Sequence, residues 1–337
     1  TYPMAWGNSP VKNFKKWRKQ ARATVLDAML APPPYTTKYE TEILAEEQRE
    51  GYRAKKLCFN LTGYSRVNAY VLIPAGEGPF PAVVLLHDHG GHYTIGKEKM
   101  IRPFGVDKAV LDDADAWAAN CYGGQYAGDY LAAHGYVVIS VDALYWGERG
   151  RKEGADGSKY ADNAGNFMML GRSLSAFMNY EDMYTTDYLA TLPEVDPKRI
   201  ACMGFSMGGY RAWMLSALSD KIQVGAAICW MTTTDCQFSW EYGRERGGFA
   251  NMLPGIRRYL DYPHIASIAC PKPMLFLNGE HDKLFPPIGV RAAFAEMHEV
   301  WESRSAGDKL VTELWDMPHD CGKKVQAKIL DFLNKWL

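Results

Sequence analysis

The sequence lacks long hydrophobic runs and carries no excess of charge of either sign. None of its apolar stretches approaches the ~20 residues that a membrane-spanning helix needs. Lysine and arginine total 38 and aspartate and glutamate total 39, so net charge does not direct the chain toward nucleic acid or an anionic membrane. With 47% apolar residues among 337, we expect a soluble, globular protein that binds neither.

The sequence also lacks closely spaced cysteine pairs. The seven cysteines are scattered without a Cys-x-x-Cys pair, which argues against a ribbon-type zinc site, and their odd number leaves at least one unpaired in a monomer. Cys202 and Cys229 fall in predicted core strands and are expected to be inert. Because the chain begins at Thr1 rather than Met, we expect a processed or trimmed form. The compartment therefore stays open, with a secreted or periplasmic location favoured over a cytoplasmic one.

Short apolar runs alternate with helical patterns along most of the chain, which predicts a mostly parallel sheet covered by helices on both faces. An antiparallel meander over residues 42–74 precedes it. We therefore expect an α/β protein with one domain over 41–337 and an N-terminal helical arm over 1–40, whose helix is capped by Ser9. The predicted parallel strands lie at 82–86, 136–141, 200–203, 224–229, 273–277 and 311–315.

Two predicted connections are too long to be simple loops. Residues 92–122 separate the first parallel strand from its helix, and residues 231–268 separate the fourth parallel strand from the fifth. Both leave the C-terminal ends of strands, where ligand sites of open α/β sheets lie. Long insertions there are usually lids or rims, so we expect them to border a site; surface decoration is the alternative.

A strand, a tight turn and a helix follow one another between Arg199 and Tyr210. The turn is Gly204-Phe205-Ser206-Met207-Gly208, and Gly-x-Ser-x-Gly in this context is typical of the nucleophile elbow of α/β-hydrolases. Glycines two residues before and after the serine leave room for the backbone to reverse on a strained turn. We expect Ser206 to be a nucleophile; a merely structural turn is the alternative.

A serine nucleophile needs a base that accepts its proton and a carboxylate that orients the base. In the chain order serine, acid, histidine, the acid follows the next well-formed parallel strand, where we predict Asp282, with Glu280 as the fallback. The base follows the last strand, where His319 precedes the final helix. Weaker candidates lie in an insertion, beside the acid or within a helical pattern, namely His264, His281 and His298.

Two backbone N–H groups are predicted to stabilise an oxyanion. One belongs to Met207, directly after the nucleophile. The other belongs to His89, in the loop His87-Asp88-His89-Gly90-Gly91-His92 that follows the first parallel strand (the oxyanion loop). The spacing of His87, His89 and His92 also fits a metallo-β-lactamase-type metal site. Because Gly91 stands where that pattern has an aspartate ligand, we disfavour a metal and predict no cofactor.

These features resemble the α/β-hydrolases of the dienelactone-hydrolase and acetyl-xylan-esterase-like branch. The resemblance covers roughly residues 40–337 and is carried by the oxyanion loop, by residues 193–209 and 271–282, and by Met317-Pro318-His319. Two positions depart from the pattern. Serine stands where dienelactone hydrolases use cysteine, and Asp88 stands where many relatives have glycine.

The resemblance implies that Ser206 is the nucleophile, Asp282 the acid and His319 the base, with the backbones of His89 and Met207 as oxyanion donors. It also implies a serine carboxylic-ester hydrolase that acts through an acyl-enzyme on a small-molecule or oligosaccharide ester, such as an acetylated xylan fragment. The predicted substrate rim consists of aromatic residues: Trp117, Trp230, Trp240 and Tyr242.

Two other functions stay open at this point. One is a serine exopeptidase of the prolyl-oligopeptidase type, although the ~80 residues before the first parallel strand are too few for the propeller of that class. The other is a catalytically silent binding protein on the same fold. The sequence does not indicate the acyl group, the alcohol or the oligomeric state.

Overall fold

One nine-stranded sheet runs through the residues that the computed structural model describes, which are 2–150, 154–239 and 248–337. In spatial order, the first three strands are antiparallel and the third pairs antiparallel with the fifth, whereas the remaining pairs are parallel. The strands are β1 (Glu42–Arg49), β2 (Tyr52–Thr62), β3 (Ser65–Pro74), β4 (Phe80–Leu86), β5 (Val137–Val141), β6 (Val195–Phe205), β7 (Ile222–Ile228), β8 (Met274–Gly279) and β9 (Leu310–Trp315), in the order β1-β2-β3-β5-β4-β6-β7-β8-β9.

The predicted fold class is confirmed: a mostly parallel sheet is preceded by an antiparallel meander. The continuous apolar runs became central strands because both of their faces are covered, and every residue of β5 and β8 is buried. The first strand, β1, lies at the sheet edge and is mostly exposed, as its charged sequence indicates.

Helices cover both faces of the sheet. Neighbouring residues of β4 show the division, because Val84 packs in one hydrophobic cluster with Trp213, whereas Val83 packs in another with Ile329. The α-helices of the described residues are α1 (Phe14–Ala28), α2 (Lys108–Cys121), α3 (Ala127–Ala133), α4 (Gly157–Met169), α5 (Leu174–Leu189), α6 (Met207–Leu218), α7 (Thr234–Gln237), α8 (Tyr262–Ala266), α9 (Pro287–Ser303) and α10 (Lys323–Trp336).

The predicted start of the first helix is wrong. Ser9 instead forms a short turn in which its Oγ accepts a hydrogen bond from Val11 N at 3.2 Å. The helix begins at Phe14, because Asn13 Oδ1 accepts from Lys16 N at 2.9 Å and caps it. Trp17 of this helix is fully buried in the same cluster as the sheet residues. The division into an arm and a domain stays a prediction.

The long connections carry structure of their own. Insertion 92–122 contains α2, and insertion 231–268 contains α7 and α8. A third long connection, residues 142–173 with helix α4, was not anticipated. None of the helices in the described ranges combines the length and apolar character that crossing a membrane requires.

Candidate active site

Ser206 lies between β6 and α6 with φ 55° and ψ −123°, a backbone conformation that non-glycine residues rarely adopt. The flanking glycines make this turn possible. A Cβ on Gly204 would lie 2.1 Å from the carbonyl oxygen of Gly208, and one on Gly208 would lie 1.8 Å from that of Leu86 at the end of β4. The sharp turn therefore depends on contacts between backbones that no side chain can enter.

Helix α6 is fixed to α5 by a buried ion pair. Arg211 donates two hydrogen bonds to Asp182, from Nε at 2.9 Å and from Nη2 at 2.6 Å, and both side chains are at most 5% exposed. Bidentate arginine–carboxylate pairs set orientation as well as distance. The serine turn is therefore held both by close backbone packing and by this pair.

Asp282 and His319 meet beyond the C-terminal ends of β8 and β9. His319 Nδ1 lies 2.6 Å from Asp282 Oδ2, and the other carboxylate oxygen accepts from Leu284 N at 2.8 Å. The side chain of Asp282 is fully buried, whereas that of His319 is 22% exposed. The carboxylate thus fixes the Nδ1 side of the imidazole and leaves Nε2 available.

The weaker candidates in the acid loop have partners elsewhere. Glu280 accepts a hydrogen bond from Arg291 at 2.6 Å, and His281 pairs with Asp316 at 2.6 Å. Of the two candidate acids, Asp282 is the one that contacts His319, and its role as the catalytic acid stays a prediction.

Ser206 and His319 line a cavity of about 440 Å³. His89 and Met207, the predicted oxyanion donors, line the same cavity. Because Met207 is the first residue of α6, its N–H has no partner within the helix. The cavity is completed by Gly90, Gly91, Tyr210, Trp230, Gly248, Ala250, Asn251, Leu284 and Phe285.

Cys229 lies beside the acid and the base. Its Sγ, a carboxylate oxygen of Asp282 and a ring nitrogen of His319 lie within 4.8 Å of one another. Cys229 follows β7 with φ 51° and is fully buried. Burial and the charge of Asp282 raise the pKa of the Cys229 thiol, which keeps it protonated and unreactive.

The oxyanion loop makes a tight turn directly after β4. His92 N donates to His89 O at 3.2 Å, and Gly90 and Gly91 between them have φ values of 60° and 63°. A Cβ on Gly90 would lie 2.3 Å from the ring of Trp117. Only glycine combines this backbone conformation with this close approach.

Asp88 and Lys99 form a fully buried ion pair under the oxyanion loop. Lys99 Nζ donates to Asp88 Oδ2 at 3.3 Å, to Asp88 O at 3.1 Å and to His89 O at 3.1 Å. The other carboxylate oxygen of Asp88 accepts from Tyr122 at 2.6 Å and from Trp117 Nε1 at 3.2 Å. The departure from glycine at position 88 therefore brings a buried charge, with its partners, into the loop.

A second buried lysine lies two residues earlier and binds carboxylates. The Nζ of Lys97 donates to Glu98, Asp142 and Glu148 at 2.7, 2.9 and 2.6 Å. Like Lys99, Lys97 is fully buried. Burial alone would lower the pKa of Lys97, but the three surrounding carboxylates together outweigh it and raise that pKa, so the ammonium stays charged between them.

The three histidines of the metal alternative make separate hydrogen bonds. His87 is fully buried, its Nε2 accepts from Ala143 N at 2.9 Å, and Nδ1 therefore carries the proton that it donates to Asp88 O at 2.9 Å. His92 Nε2 lies 2.6 Å from Asp113 Oδ1. Both nitrogens of His87 are already engaged, which leaves neither of them free to bind a metal.

His89 presents its ring to aromatic neighbours. Gly91 N donates to His89 Nδ1 at 3.0 Å, and the ring makes edge contacts with Trp146 and Tyr160. Burial and the nearby Lys99 lower the pKa of His89 to about 4. The imidazole is therefore neutral near pH 7.

The predicted rim residues differ in position. Trp230 lines the cavity. Trp117 is not among the described residues that line it and instead packs on Gly90, behind the oxyanion loop. Trp240 and Tyr242 lie outside the described residues.

Several residues that line the cavity or pack on its lining were missed from the sequence. Leu284 and Phe285 follow Asp282 within three residues, so their closeness to the acid was a usable signal. Tyr160 and Trp146, which pack on His89, belong to the unanticipated connection 142–173. No motif marks them, because only the closure of the sheet brings that connection over the oxyanion loop.

An α/β-hydrolase fold is defined by three features of this structure. They are the order of the strands, the serine turn between β6 and α6, and the positions of Asp282 and His319 after β8 and β9. Residues 7–305 match the profile of the Abhydrolase family, and the chain belongs to that family. The predicted resemblance is confirmed at this level.

The chain is also similar to individual hydrolases and esterases in sequence or structure. The chain is 28% identical over 317 residues to "Putative hydrolase YtaP" of Bacillus subtilis (strain 168), covering 94% of this chain and 99% of that one. It superimposes on a glucuronoyl esterase from Solibacter usitatus with a TM-score of 0.71 at 17% identity, covering 99% and 97% of the two chains. A structure named as a putative acetyl xylan esterase from Bacteroides fragilis NCTC 9343 gives 0.68 at 21% identity, covering 90% and 75%. At these identities the structural likeness shows the fold.

Proposed function

We propose that the protein is a serine carboxylic-ester hydrolase in which Ser206 is the nucleophile, His319 the base and Asp282 the acid that orients it. One observation carries the proposal: the His319 imidazole, bound to buried Asp282 at 2.6 Å, shares a cavity with a serine on a strained elbow. The family and the hydrolase relative support the reaction class.

The proposed reaction has two halves. His319 Nε2 takes the proton of Ser206 Oγ as that oxygen bonds to the ester carbonyl carbon, whose own oxygen becomes negative. Collapse of this intermediate breaks the bond to the alcohol, which leaves with the proton from His319. Water then attacks the acyl-enzyme in the same way and gives its proton to His319. The carboxylic acid is released, and Ser206 Oγ recovers its proton.

The negative oxygen of each intermediate is proposed to accept hydrogen bonds from the N–H groups of His89 and Met207. Both residues line the cavity. Met207 belongs to the turn between β6 and α6, and His89 belongs to the loop after β4. Such donors contribute most when they are fixed before the reaction and shielded from water.

We propose a carbohydrate ester as the substrate, with removal of an acetyl group as the reaction. The cavity volume of about 440 Å³ suits a small molecule. Trp230, Phe285 and Leu284 give it an apolar lining for an acyl group or a sugar face. Two solved structures with the same fold are named as a glucuronoyl esterase and as a "putative acetyl xylan esterase". A secreted or periplasmic location stays a prediction.

Replacing the nucleophile tests the reaction. Ser206→Ala should lower the kcat for p-nitrophenyl acetate by at least roughly 10⁴-fold, because no other group can form the acyl-enzyme. Ser219→Ala, at the far end of α6, is the matched control and should keep activity. A fluorophosphonate should label the wild type and the control but not Ser206→Ala. Undiminished turnover by Ser206→Ala would overturn the proposal, and unlabelled wild type would indicate a silent binding protein.

A substrate panel tests the substrate class. We expect acetylated xylo-oligosaccharides to give the highest kcat/KM among acetylated sugars, feruloyl esters, methyl esters of uronic acids and simple aryl esters. Preference for a uronic acid methyl ester would place the sugar on the acyl side and contradict the proposed deacetylation while leaving the serine mechanism intact.

A further inference from the structure

Lys99 is a buried lysine whose ammonium makes its hydrogen bonds, among the described residues, to the oxyanion loop. It has three N–H donors, and three acceptors receive them: Asp88 O and His89 O, each at 3.1 Å, and Asp88 Oδ2 at 3.3 Å. Two of these acceptors are main-chain carbonyls: that of Asp88, directly before the His89 N–H, and that of His89 itself. The His89 N–H is the proposed oxyanion donor. The ammonium therefore acts on the backbone of the loop.

The geometry of a peptide bond links this ammonium to that donor. In a trans peptide, the C=O and the N–H of the same unit point in opposite directions. The Asp88 carbonyl points at Lys99, so the His89 N–H points away from Lys99. Among the described residues, His89 lines the cavity and Lys99 does not, so an N–H that points away from Lys99 is expected to face the cavity.

We propose that Lys99 is a positioning residue for catalysis: it holds the Asp88–His89 peptide in the orientation that presents the His89 N–H to the oxyanion. This inference rests on the proposed function. His87 supports the same peptide, since its Nδ1–H donates to Asp88 O at 2.9 Å. Lys99 is the stronger constraint, because it is charged and also holds the next carbonyl.

Asp88 is the counter-ion that allows Lys99 to stay charged in this place. Burial lowers the pKa of Lys99, and the attraction and hydrogen bond of Asp88 oppose that fall. Trp117 and Tyr122 in turn hold the carboxylate. The insertion after β4 therefore supplies the support of the oxyanion loop, and Trp117 is part of that support.

Lys97 provides a matched comparison inside the same insertion. It is as buried as Lys99 and also binds an aspartate, but in the described part of the chain its ammonium hydrogen-bonds to carboxylates and to none of the main-chain carbonyls of the oxyanion loop. A purely structural role for buried lysines predicts similar effects at both positions. A positioning role predicts an effect on turnover at Lys99 alone.

The test compares two neutral replacements of a lysine–aspartate pair, Lys99→Met/Asp88→Asn and Lys97→Met/Asp142→Asn. Replacing both partners avoids leaving an unpaired buried charge at the Lys99 site. Lys97 also binds the buried Glu98, so the Lys97 pair variant carries Glu98→Gln as well, whereas Glu148 keeps its ion pair with Lys56 at 3.0 Å. The kcat and KM for p-nitrophenyl acetate are measured per active site, counted by end-point fluorophosphonate labelling. The inhibition constant of phenylboronic acid is measured as well, because its tetrahedral serine adduct places an oxygen where the oxyanion would lie.

The Lys99 pair variant should lower kcat roughly 10- to 100-fold, approaching the loss of one oxyanion donor, with less than about a threefold change in KM. Its affinity for phenylboronic acid should fall by a similar factor. The Lys97 pair variant should keep both constants within about threefold, even if its melting temperature falls.

Equal losses in the two pair variants, or an unchanged kcat and boronate affinity in the Lys99 pair variant, would overturn the inference. If that variant does not fold, Lys99→Arg is measured instead, because it keeps the charge but changes the donor geometry, and the same loss is expected. Ser206→Ala separates the two levels. Its activity would overturn the proposed function and this inference together, whereas inactive Ser206→Ala with a normal Lys99 variant overturns the inference alone.

Discussion

The oxyanion loop and the aromatic part of the cavity lining are held in place by different forces. Under the oxyanion loop, Asp88, Lys99 and His87 make directional hydrogen bonds and an ion pair away from water. In the aromatic part, Trp230 packs against Phe285 with ring centroids 5.2 Å apart, without a shared hydrogen bond. The first arrangement fixes the direction of individual N–H groups, and the second fixes only a shape.

This difference predicts how each part tolerates substitution. A hydrogen-bonded, buried charge loses both its partner and its orientation when one group is replaced, so small changes have large effects. Apolar packing tolerates substitutions that conserve volume at small cost. We therefore expect changes to the hydrogen-bonded buried groups to lower turnover. Changes to the apolar cavity lining should instead alter which ester is preferred.

The largest effect is expected at Asp282, whose buried hydrogen bond orients the base His319. Asp282→Asn should lower kcat by about 10⁴-fold, because the amide cannot hold His319 in the tautomer that accepts the serine proton. Glu280→Gln is the matched control on the same loop, since Glu280 binds Arg291 instead of His319. Initial rates with p-nitrophenyl acetate decide the matter. A comparable loss in Glu280→Gln, or near-normal activity in Asp282→Asn, would contradict the assigned acid.

The next largest effect should be on stability, where the serine turn meets the end of β4. Gly208→Ala should lower the free energy of unfolding by about 3 kcal/mol or more, because the new Cβ would lie 1.8 Å from Leu86 O and backbone atoms cannot yield cheaply. Gly165→Ala in helix α4 is the control, since its Cβ would meet nothing within 4 Å. That change should be neutral or stabilising by up to about 1 kcal/mol.

Urea unfolding of the two alanine variants measures both changes. If Gly208→Ala were as stable as the wild type, the backbone contact between the serine turn and β4 would not constrain residue 208.

The same contrast explains what the sequence could predict. The strands were found because apolar runs and strand–helix alternation are local signals. Asp282 was separated from Glu280 because strand order restricts where an acid can stand. The burial of Lys99 had no such signal: a lysine in a polar insertion reads as exposed until the sheet brings Asp88 and the insertion together.

Other features failed for related reasons. Helix α4 has glycines and asparagines of low helix propensity, so its sequence did not stand out from a loop. Ser9 and Asn13 both suit an N-cap, and only the observed turn at Ser9 decides between them. The roles of Met207 and His89 depend on the direction of N–H groups, which residue types alone do not determine.

A smaller effect is expected from pH. Because the pKa of His89 falls from its ordinary value near 6.5 to about 4 in the folded protein, the unfolded chain binds the proton first as the pH falls. Its contribution to stability is thus present above pH 6.5 and is lost as the pH falls toward 4. The slope is at most about 1.4 kcal/mol per pH unit.

Comparison with His89→Gln isolates this contribution, since other buried groups such as Asp142 titrate in the same range. The free energy of unfolding is measured between pH 7 and pH 4.5 for both proteins. The wild type should lose more stability than the variant across this range. Parallel curves would show that His89 protonates as easily in the folded protein as in the unfolded one.

The smallest effect is expected in the apolar lining of the cavity. Leu284→Ala enlarges the cavity but keeps the Leu284 N–H that donates to Asp282. The ratio of kcat/KM for p-nitrophenyl butyrate to that for the acetate should rise up to about tenfold, since an added methylene in an apolar pocket is worth about 1 kcal/mol. Ile288→Ala removes an exposed aliphatic side chain nearby and should leave the ratio unchanged. A fall in kcat for both esters by the same factor would contradict the comparison, because it would mean that Leu284 positions the acid through its side chain and that the apolar lining takes part in directing the chemistry.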